Sequence, residues 1–263
     1  MPLSSHPSPL PNTQAVREAV GEAEWAARVE LAAAYRLAAR FGWTDHIFTH
    51  FSARIPGEAP HFLINAFGLT FPEVSASNLL RIDIEGEVLY DPTGRGHNQA
   101  GYVIHGAIHQ ARHDLTCVLH THTTTGAAVS AQRQGLRMIS QHAARFHGEV
   151  GYHDYEGFAL DRDEQQRLVQ NLGDKRVMIL RNHGLLAAGR SVGEAFQGLY
   201  FLERSCAIQI AAQAGGAELV TPSDAVLQKT AQVYASGTGG RYTERIWDAF
   251  LRELDRDDPD YRL

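Results

Sequence analysis

Several common signatures are scarce or missing in this chain, and each gap removes a class of function. Only two cysteines occur in 263 residues, Cys117 and Cys206, and they form no C-x-x-C pair. A disulfide framework and a thiolate metal cluster are thereby excluded, and both cysteines read as small buried hydrophobes. Basic charge is not in excess: 24 Lys and Arg stand against 30 Asp and Glu, a net charge of −6. Nucleic acid is therefore not an expected partner. No apolar run approaches the roughly 18 residues that span a bilayer, so no membrane partner is expected either. Residues 1–13 carry Pro2, Pro7, Pro9 and Pro11 but no apolar core. They read as a disordered tail, not a signal peptide. A cytoplasmic location is the resulting expectation. There is no internal repeat, no low-complexity block and no linker between two cores, so residues 14–263 read as one domain.

What is present is an ordinary globular composition, 44% hydrophobic and 21% charged, with helix and strand patterns alternating. An alanine-rich amphipathic helix is predicted over 16–40, ending near Gly42. Alternation predicts a strand over 47–55, stopped by Pro56-Gly57. A second strand follows over 61–65. Ser75-Ala76-Ser77-Asn78 starts a helical turn, and Glu85-Gly86 joins a hairpin. A polar loop over 91–100 leads to a helix over 103–112. Further strands are expected at 116–120, 176–180 and 185–188, with helices over 125–134, 164–172, 192–214, 223–235 and 243–254 and a charged tail after them. Short strand–strand turns argue against a strict βαβ series.

Fourteen histidines are present, and three have informative spacing. His120 and His122 flank Thr121 at the end of an apolar run, Val118-Leu119. In a strand, residues two apart share a face, so both imidazoles can reach one ion. His183, in Asn182-His183-Gly184, follows a second apolar run, Val177-Met178-Ile179-Leu180. Three neutral imidazoles with an open fourth position suit a catalytic zinc. Manganese or iron would also be held, since ligand type alone does not fix the metal. The competing reading is three unrelated histidines in a His-rich chain. Weaker motifs point elsewhere: Gly94-Arg95-Gly96 and Gly215-Gly216 read as plain turns, and Thr123 as a helix cap. Ser130 lacks a nucleophile elbow.

Four blocks in order resemble the class II aldolase/adducin family. They are Phe62-Leu63-Ile64-Asn65-Ala66-Phe67-Gly68-Leu69, Ile104-His105-Gly106-Ala107-Ile108-His109-Gln110-Ala111-Arg112, Val118 to His122 with Ala128-Val129-Ser130, and Leu180 to Leu185. The resemblance covers residues 32–216. It implies a three-layer α/β/α fold with a central mixed, largely antiparallel sheet. It also implies a homotetramer with sites between subunits, and His120, His122 and His183 as metal ligands. The group holds sugar-phosphate aldolases, an epimerase, a dehydratase, decarboxylases and the non-enzymatic head of adducin.

The departures narrow that list. The acid of the sugar-phosphate aldolases aligns with Gly101, which has no proton to move. Their serine pair aligns with Gln99-Ala100, and their Gly-Asn-x-Ser loop with Thr49-His50-Phe51-Ser52. Asn98-Gln99-Ala100-Gly101 and 150–157 are similar to the adducin-head branch. A phosphorylated substrate is therefore not expected. Candidates to replace the acid are Tyr102, His105 and His142. His105 and His109 share a helical face, which is also what a structural polar face would show. Gln141 and His142 align near a tyrosine that family aldolases present from the adjacent subunit. His50, Asn98, Gln99, Gly101 and Gln141 are candidate substrate contacts. The expected activity is a divalent-metal-dependent carbon–carbon lyase, of aldolase or decarboxylase type, on a small hydroxy- or oxo-acid. The alternatives are a non-catalytic adducin-head-like scaffold and an iron-dependent oxygenase.

Overall fold

The structure, a computed structural model, describes residues 11–57, 60–157, 162–235 and 238–263. Among the described residues eight strands form one sheet: β1 (His50–Arg54), β2 (Phe62–Asn65), β3 (Leu79–Ile82), β4 (Val88–Tyr90), β5 (Cys117–Thr121), β6 (Val150–His153), β7 (Val177–Leu180) and β8 (Gly184–Gly189). Their spatial order is β4-β3-β2-β1-β5-β8-β7-β6. Every pairing is antiparallel except β6 with β7. The helices are α1 (Thr13–Arg40), α2 (Gln99–Ala111), α3 (Thr124–Ser130), α4 (Gln141–Ala144), α5 (Arg162–Leu172), α6 (Val192–Gln213), α7 (Asp224–Ala235) and α8 (Thr238–Asp257).

The two-residue period of the central strands sorts their side chains between two helical layers. Leu119 on β5, Phe51 on β1 and Leu185 and Ala187 on β8 join a core with Leu31, Tyr35 and Leu37 of α1 and Leu199 and Leu202 of α6. Val118, Leu186 and Ala188 face the other way, into a core with Ile104 and Ile108 of α2 and Leu168 and Leu172 of α5. The expected α/β/α sandwich with a mixed, largely antiparallel sheet is therefore present. This parity decides the chemistry. His50, Ser52 and His120 have the parity of the α2 face, whereas Thr121 has that of the α6 face.

Several boundaries differ from expectation for local reasons. The first strand begins at His50, not Ile47, because His46 (φ 52°) and Thr49 (φ 70°) have left-handed backbone. Such geometry is costly for a β-branched threonine. Helix α2 starts at Gln99, inside the predicted polar loop, because the Asn98 side chain accepts a hydrogen bond from the Gly101 N–H. Helix α3 stops at Ser130, four residues early. Strand β6 was not anticipated, since Val150-Gly151-Tyr152-His153 is short and contains a glycine. The charged tail is not free: α8 runs to Asp257, Tyr261 is fully buried, and the Leu263 carbonyl accepts from Ser77 N–H. At the other end Asn12 caps α1 at Thr13. Residues 1–10 of the expected tail lie outside the described residues.

Candidate metal centre

Strand β5 ends at Thr121, so His120 is still in the ladder and His122 lies just beyond it. The turn from β7 to β8 carries His183, and Asn182 within it adopts φ 54°, a conformation asparagine tolerates. Gly184 follows because a Cβ there would collide with the main-chain carbonyl of Thr121. Asn-His-Gly is thus a turn that lays His183 directly against the end of β5.

The result is a triangle of Nε2 atoms. His120 Nε2 lies 2.8 Å from His122 Nε2 and 3.3 Å from His183 Nε2, and the latter two are 2.8 Å apart. These are the three residues whose ligand atoms converge among the described residues. Their tautomers are set from behind. His120 Nδ1–H donates to the Leu185 carbonyl at 2.8 Å, and His122 Nδ1–H to the Asp45 carboxylate at 3.0 Å. Those two rings, when neutral, then present Nε2 lone pairs to each other and to His183, with no proton between the two of them. Burial holds His120 well below the ordinary imidazole range, with help from His122 and His183. Burial, with His122, lowers His183 to about 4. Neutral imidazoles with lone pairs converging are what a divalent cation requires, so the residues fit a metal ion.

Asp45 was not among the residues singled out in the sequence. Nothing in Trp43-Thr44-Asp45-His46 marks it, because it meets His122 only through the fold. Replacing it by asparagine keeps the size but removes the charge that orients His122. Asp45→Asn is expected to weaken zinc affinity by about 10–100-fold, read by competition with a chromophoric chelator. Wild-type affinity in that variant would contradict the role.

The other face of the strand has its own anchor. Thr121 Oγ1 donates to Glu203 Oε1 at 2.5 Å, and Thr123 Oγ1 to Glu203 Oε2 at 2.7 Å. Thr123 also caps α3, accepting from Gly126 N–H, as expected. Glu203 lies in α6 and is 2% exposed; burial pushes its carboxyl up to about 7 despite both hydroxyls. Its folded value exceeds the unfolded one, so its stabilising contribution is complete below about pH 4.5 and is lost as pH rises through about 7. Relative to Glu203→Gln, the wild type should lose on the order of 3 kcal/mol across that window. Urea unfolding of both metal-free proteins at several pH values measures this; parallel curves would disprove it.

A second cluster adjoins the triad on the α2 side. His50 Nδ1 is 2.9 Å from His105 Nε2. The other nitrogen of His105, Nδ1, is 2.7 Å from Ser52 Oγ, which is 2.8 Å from His109 Nε2. All four side chains are buried. The His50 ring lies 5.7 Å from that of His120. Burial lowers the basicity of all three histidines, His50 and His105 strongly and His109 to about 3.

The remaining candidates are dispersed. Gly101 packs against His50. Asn98 spends its side chain on the α2 cap and Gln99 is exposed. The Tyr102 hydroxyl donates to the Asp83 carbonyl of the β3–β4 hairpin, and its ring packs with Phe62, Ile64, Leu80 and Ile82. Tyr102 is therefore a hairpin anchor in this chain, not a member of the triad cluster. Gln141 is exposed at the start of α4, and His142 packs its ring 5.7 Å from Phe201. Neither joins the histidine clusters within the chain.

The profile of the Class II Aldolase and Adducin N-terminal domain matches residues 29–210. The chain belongs to the class II aldolase/adducin family. A Caulobacter vibrioides protein named "putative aldolase class 2 protein" is 45% identical over 249 residues, covering 95% of this chain and 96% of its own. Rat alpha-adducin is 42% identical over 241 residues, covering 87% of this chain but only 33% of adducin. Among solved structures, an aldolase II superfamily protein from Pseudomonas syringae has a TM-score of 0.92 at 59% identity, over 95% of this chain and 100% of that one. The L-fuculose 1-phosphate aldolase of Glaciozyma antarctica PI12 reaches a TM-score of 0.81 at 26% identity, over 98% and 97% of the two chains. The family thus contains both aldolases and adducins. No helix among the described residues is long and apolar enough to cross a membrane.

Proposed function

We propose that this family member is a divalent-metal-dependent carbon–carbon lyase, of aldolase or decarboxylase type, acting on a small hydroxy- or oxo-acid without a phosphate group. The observation that carries this reading is the triangle of Nε2 atoms, with two of its three rings oriented by a carbonyl and a carboxylate. His120, His122 and His183 would hold the ion, zinc first, with manganese or iron as alternatives. Such an ion acts as a Lewis acid toward adjacent substrate oxygens and stabilises the negative charge that develops when a carbon–carbon bond breaks.

The chain's own residues supply the rest. Asp45 and the Leu185 carbonyl fix two of the imidazoles, so little reorganisation accompanies the reaction. Thr121 and Thr123, tied to Glu203, hold the end of β5 rigid beneath them. The start of α2 offers Gln99 and Ala100 in place of hydroxyls that would suit a phosphate, and a glycine at 101 in place of the acid. Gln141 and His142 would act only across a boundary with a neighbouring subunit, consistent with a homotetramer as the working assembly. A cytoplasmic enzyme with a small-molecule substrate is the setting this reading supposes.

The test is a panel of unphosphorylated 2-oxo acids, hydroxy acids and aldols, with the stripped protein reloaded with zinc, manganese or iron. Metal-dependent turnover, lost in His120→Ala, is the expected result. Stoichiometric metal with no turnover across the panel would refute it. The identity to alpha-adducin favours a scaffold as the second reading; that reading predicts an oligomer indifferent to metal.

A further inference from the structure

A cluster of buried polar side chains beside the triad has no structural necessity. His50, Ser52, His105 and His109 sit between β1 and α2, where apolar residues would pack with less cost. Each links to the next within 2.9 Å, giving the chain His50–His105–Ser52–His109. Its inner end, His109, stacks on Phe62 with 4.4 Å between ring centroids. Its outer end is His50 Nε2, which has no hydrogen-bond partner among the described residues. That atom lies where a side chain at position 101 would begin: a Cβ added to Gly101 would overlap His50 Nε2 and come within 2.8 Å of Cε1. Thr49, just before His50, holds φ 70° and is buried. The backbone strain is stored where it aims this ring.

We propose that His50 is the proton-transfer group of this site, its Nε2 standing in the space left by Gly101, with His105, Ser52 and His109 as positioning residues behind it. The inference rests on the lyase reading above. Either nitrogen of each ring and the serine hydroxyl can donate or accept, so the chain can run either way, and a proton acceptor at His50 Nε2 requires the direction that leaves His109 with its proton on the unpartnered Nδ1. His50 Nδ1–H donates to His105 Nε2, His105 Nδ1–H donates to Ser52 Oγ, and the Ser52 hydroxyl donates to His109 Nε2. This order leaves a lone pair on His50 Nε2. A base oriented by a second group, itself oriented by a third, is an arrangement that fixes a proton acceptor in position. In cleavage of an aldol, the substrate hydroxyl proton passes to His50 Nε2. The carbon–carbon bond breaks, its electron pair going to the carbon beside the carbonyl. That carbon then takes the same proton back from Nε2, so no proton, electron or co-reactant is left over.

The experiment uses the full chain loaded with zinc, and pyruvate in deuterium oxide as an enolisable probe. Two quantities are read: the nitrogen-15 shifts of the His50 ring, and the rate of hydrogen–deuterium exchange at the pyruvate methyl group. Wild type should show His50 protonated at Nδ1. Ser52→Ala should move both ring nitrogens toward a mixed-tautomer average, and Ser52→Thr should restore them. His50→Gln should retain one zinc per chain yet exchange pyruvate at least 100-fold more slowly, the low end of what general-base catalysis contributes. Exchange at the wild-type rate in His50→Gln would overturn this inference while leaving the lyase reading standing. Unchanged His50 shifts in Ser52→Ala would overturn the positioning chain. A wild type that binds zinc but exchanges no pyruvate hydrogen would count against the lyase reading, and against the role of His50 with it.

Discussion

Replacing His183 with alanine is expected to lower zinc affinity by far more than the roughly 100-fold that an orienting partner commands. The ring is one of three whose Nε2 atoms lie 2.8–3.3 Å apart, so its loss leaves two imidazoles with no third protein ligand. The fold should survive, because His183 sits in a turn and belongs to no hydrophobic cluster. The metal-free protein loses only a half-buried ring in the turn between β7 and β8. Metal-free His183→Ala should therefore be close in stability to metal-free wild type, while zinc should stabilise only the wild type, by RT ln(1 + [L]/Kd). Thermal unfolding with and without zinc, beside elemental analysis of the purified variant, measures both effects. A variant that retains stoichiometric zinc would remove His183 from the site.

The second large effect is expected at Gly101. It lies in the first turn of α2, where glycine to alanine ordinarily stabilises a helix by up to about 1 kcal/mol. Here the sign should reverse. The new methyl group would occupy the position of His50 Nε2, so His50 must swing away and break its bond to His105. Overpacking of this kind costs about 1–3 kcal/mol, and an abandoned buried partner a further 1–3 kcal/mol. Gly101→Ala should thus destabilise the protein by several kcal/mol, approximately the sum of those two. In a His50→Ala background the same change should be neutral or stabilising. The coupling energy between the two sites is the diagnostic quantity, and values near zero in a double-mutant cycle by urea unfolding would show that His50 does not fill that space.

The sandwich was legible in the sequence because its central strands carry uninterrupted apolar runs and its long helices carry alanine-rich stripes. His120 and His122 were legible because a two-residue spacing has only one meaning in a strand. His183 was legible because Asn-His-Gly closes a run of four apolar residues. The partners that orient these rings were not: Asp45 meets His122 across 77 positions, and Glu203 meets Thr121 across 82. Such pairings exist only once the sheet order is known. The chain from His50 to His109 was half visible. The helical spacing of His105 and His109 placed them on one face, but only the pairing of β1 with β5, which sets His50 opposite His120, turns that face toward the metal centre. Tyr102 illustrates the converse: the preceding Gly101 packs against His50, yet the position of Tyr102 in the helical turn sends its hydroxyl to the β3–β4 hairpin.

The most direct test of the metal centre is a zinc titration of the stripped protein, followed by X-ray absorption at the zinc edge. One saturable site per chain, with three imidazole nitrogens at about 2.0–2.1 Å and an exchangeable oxygen in the fourth position, is the predicted outcome. No saturable binding, or zinc held without the histidine signature, would contradict the assignment of His120, His122 and His183.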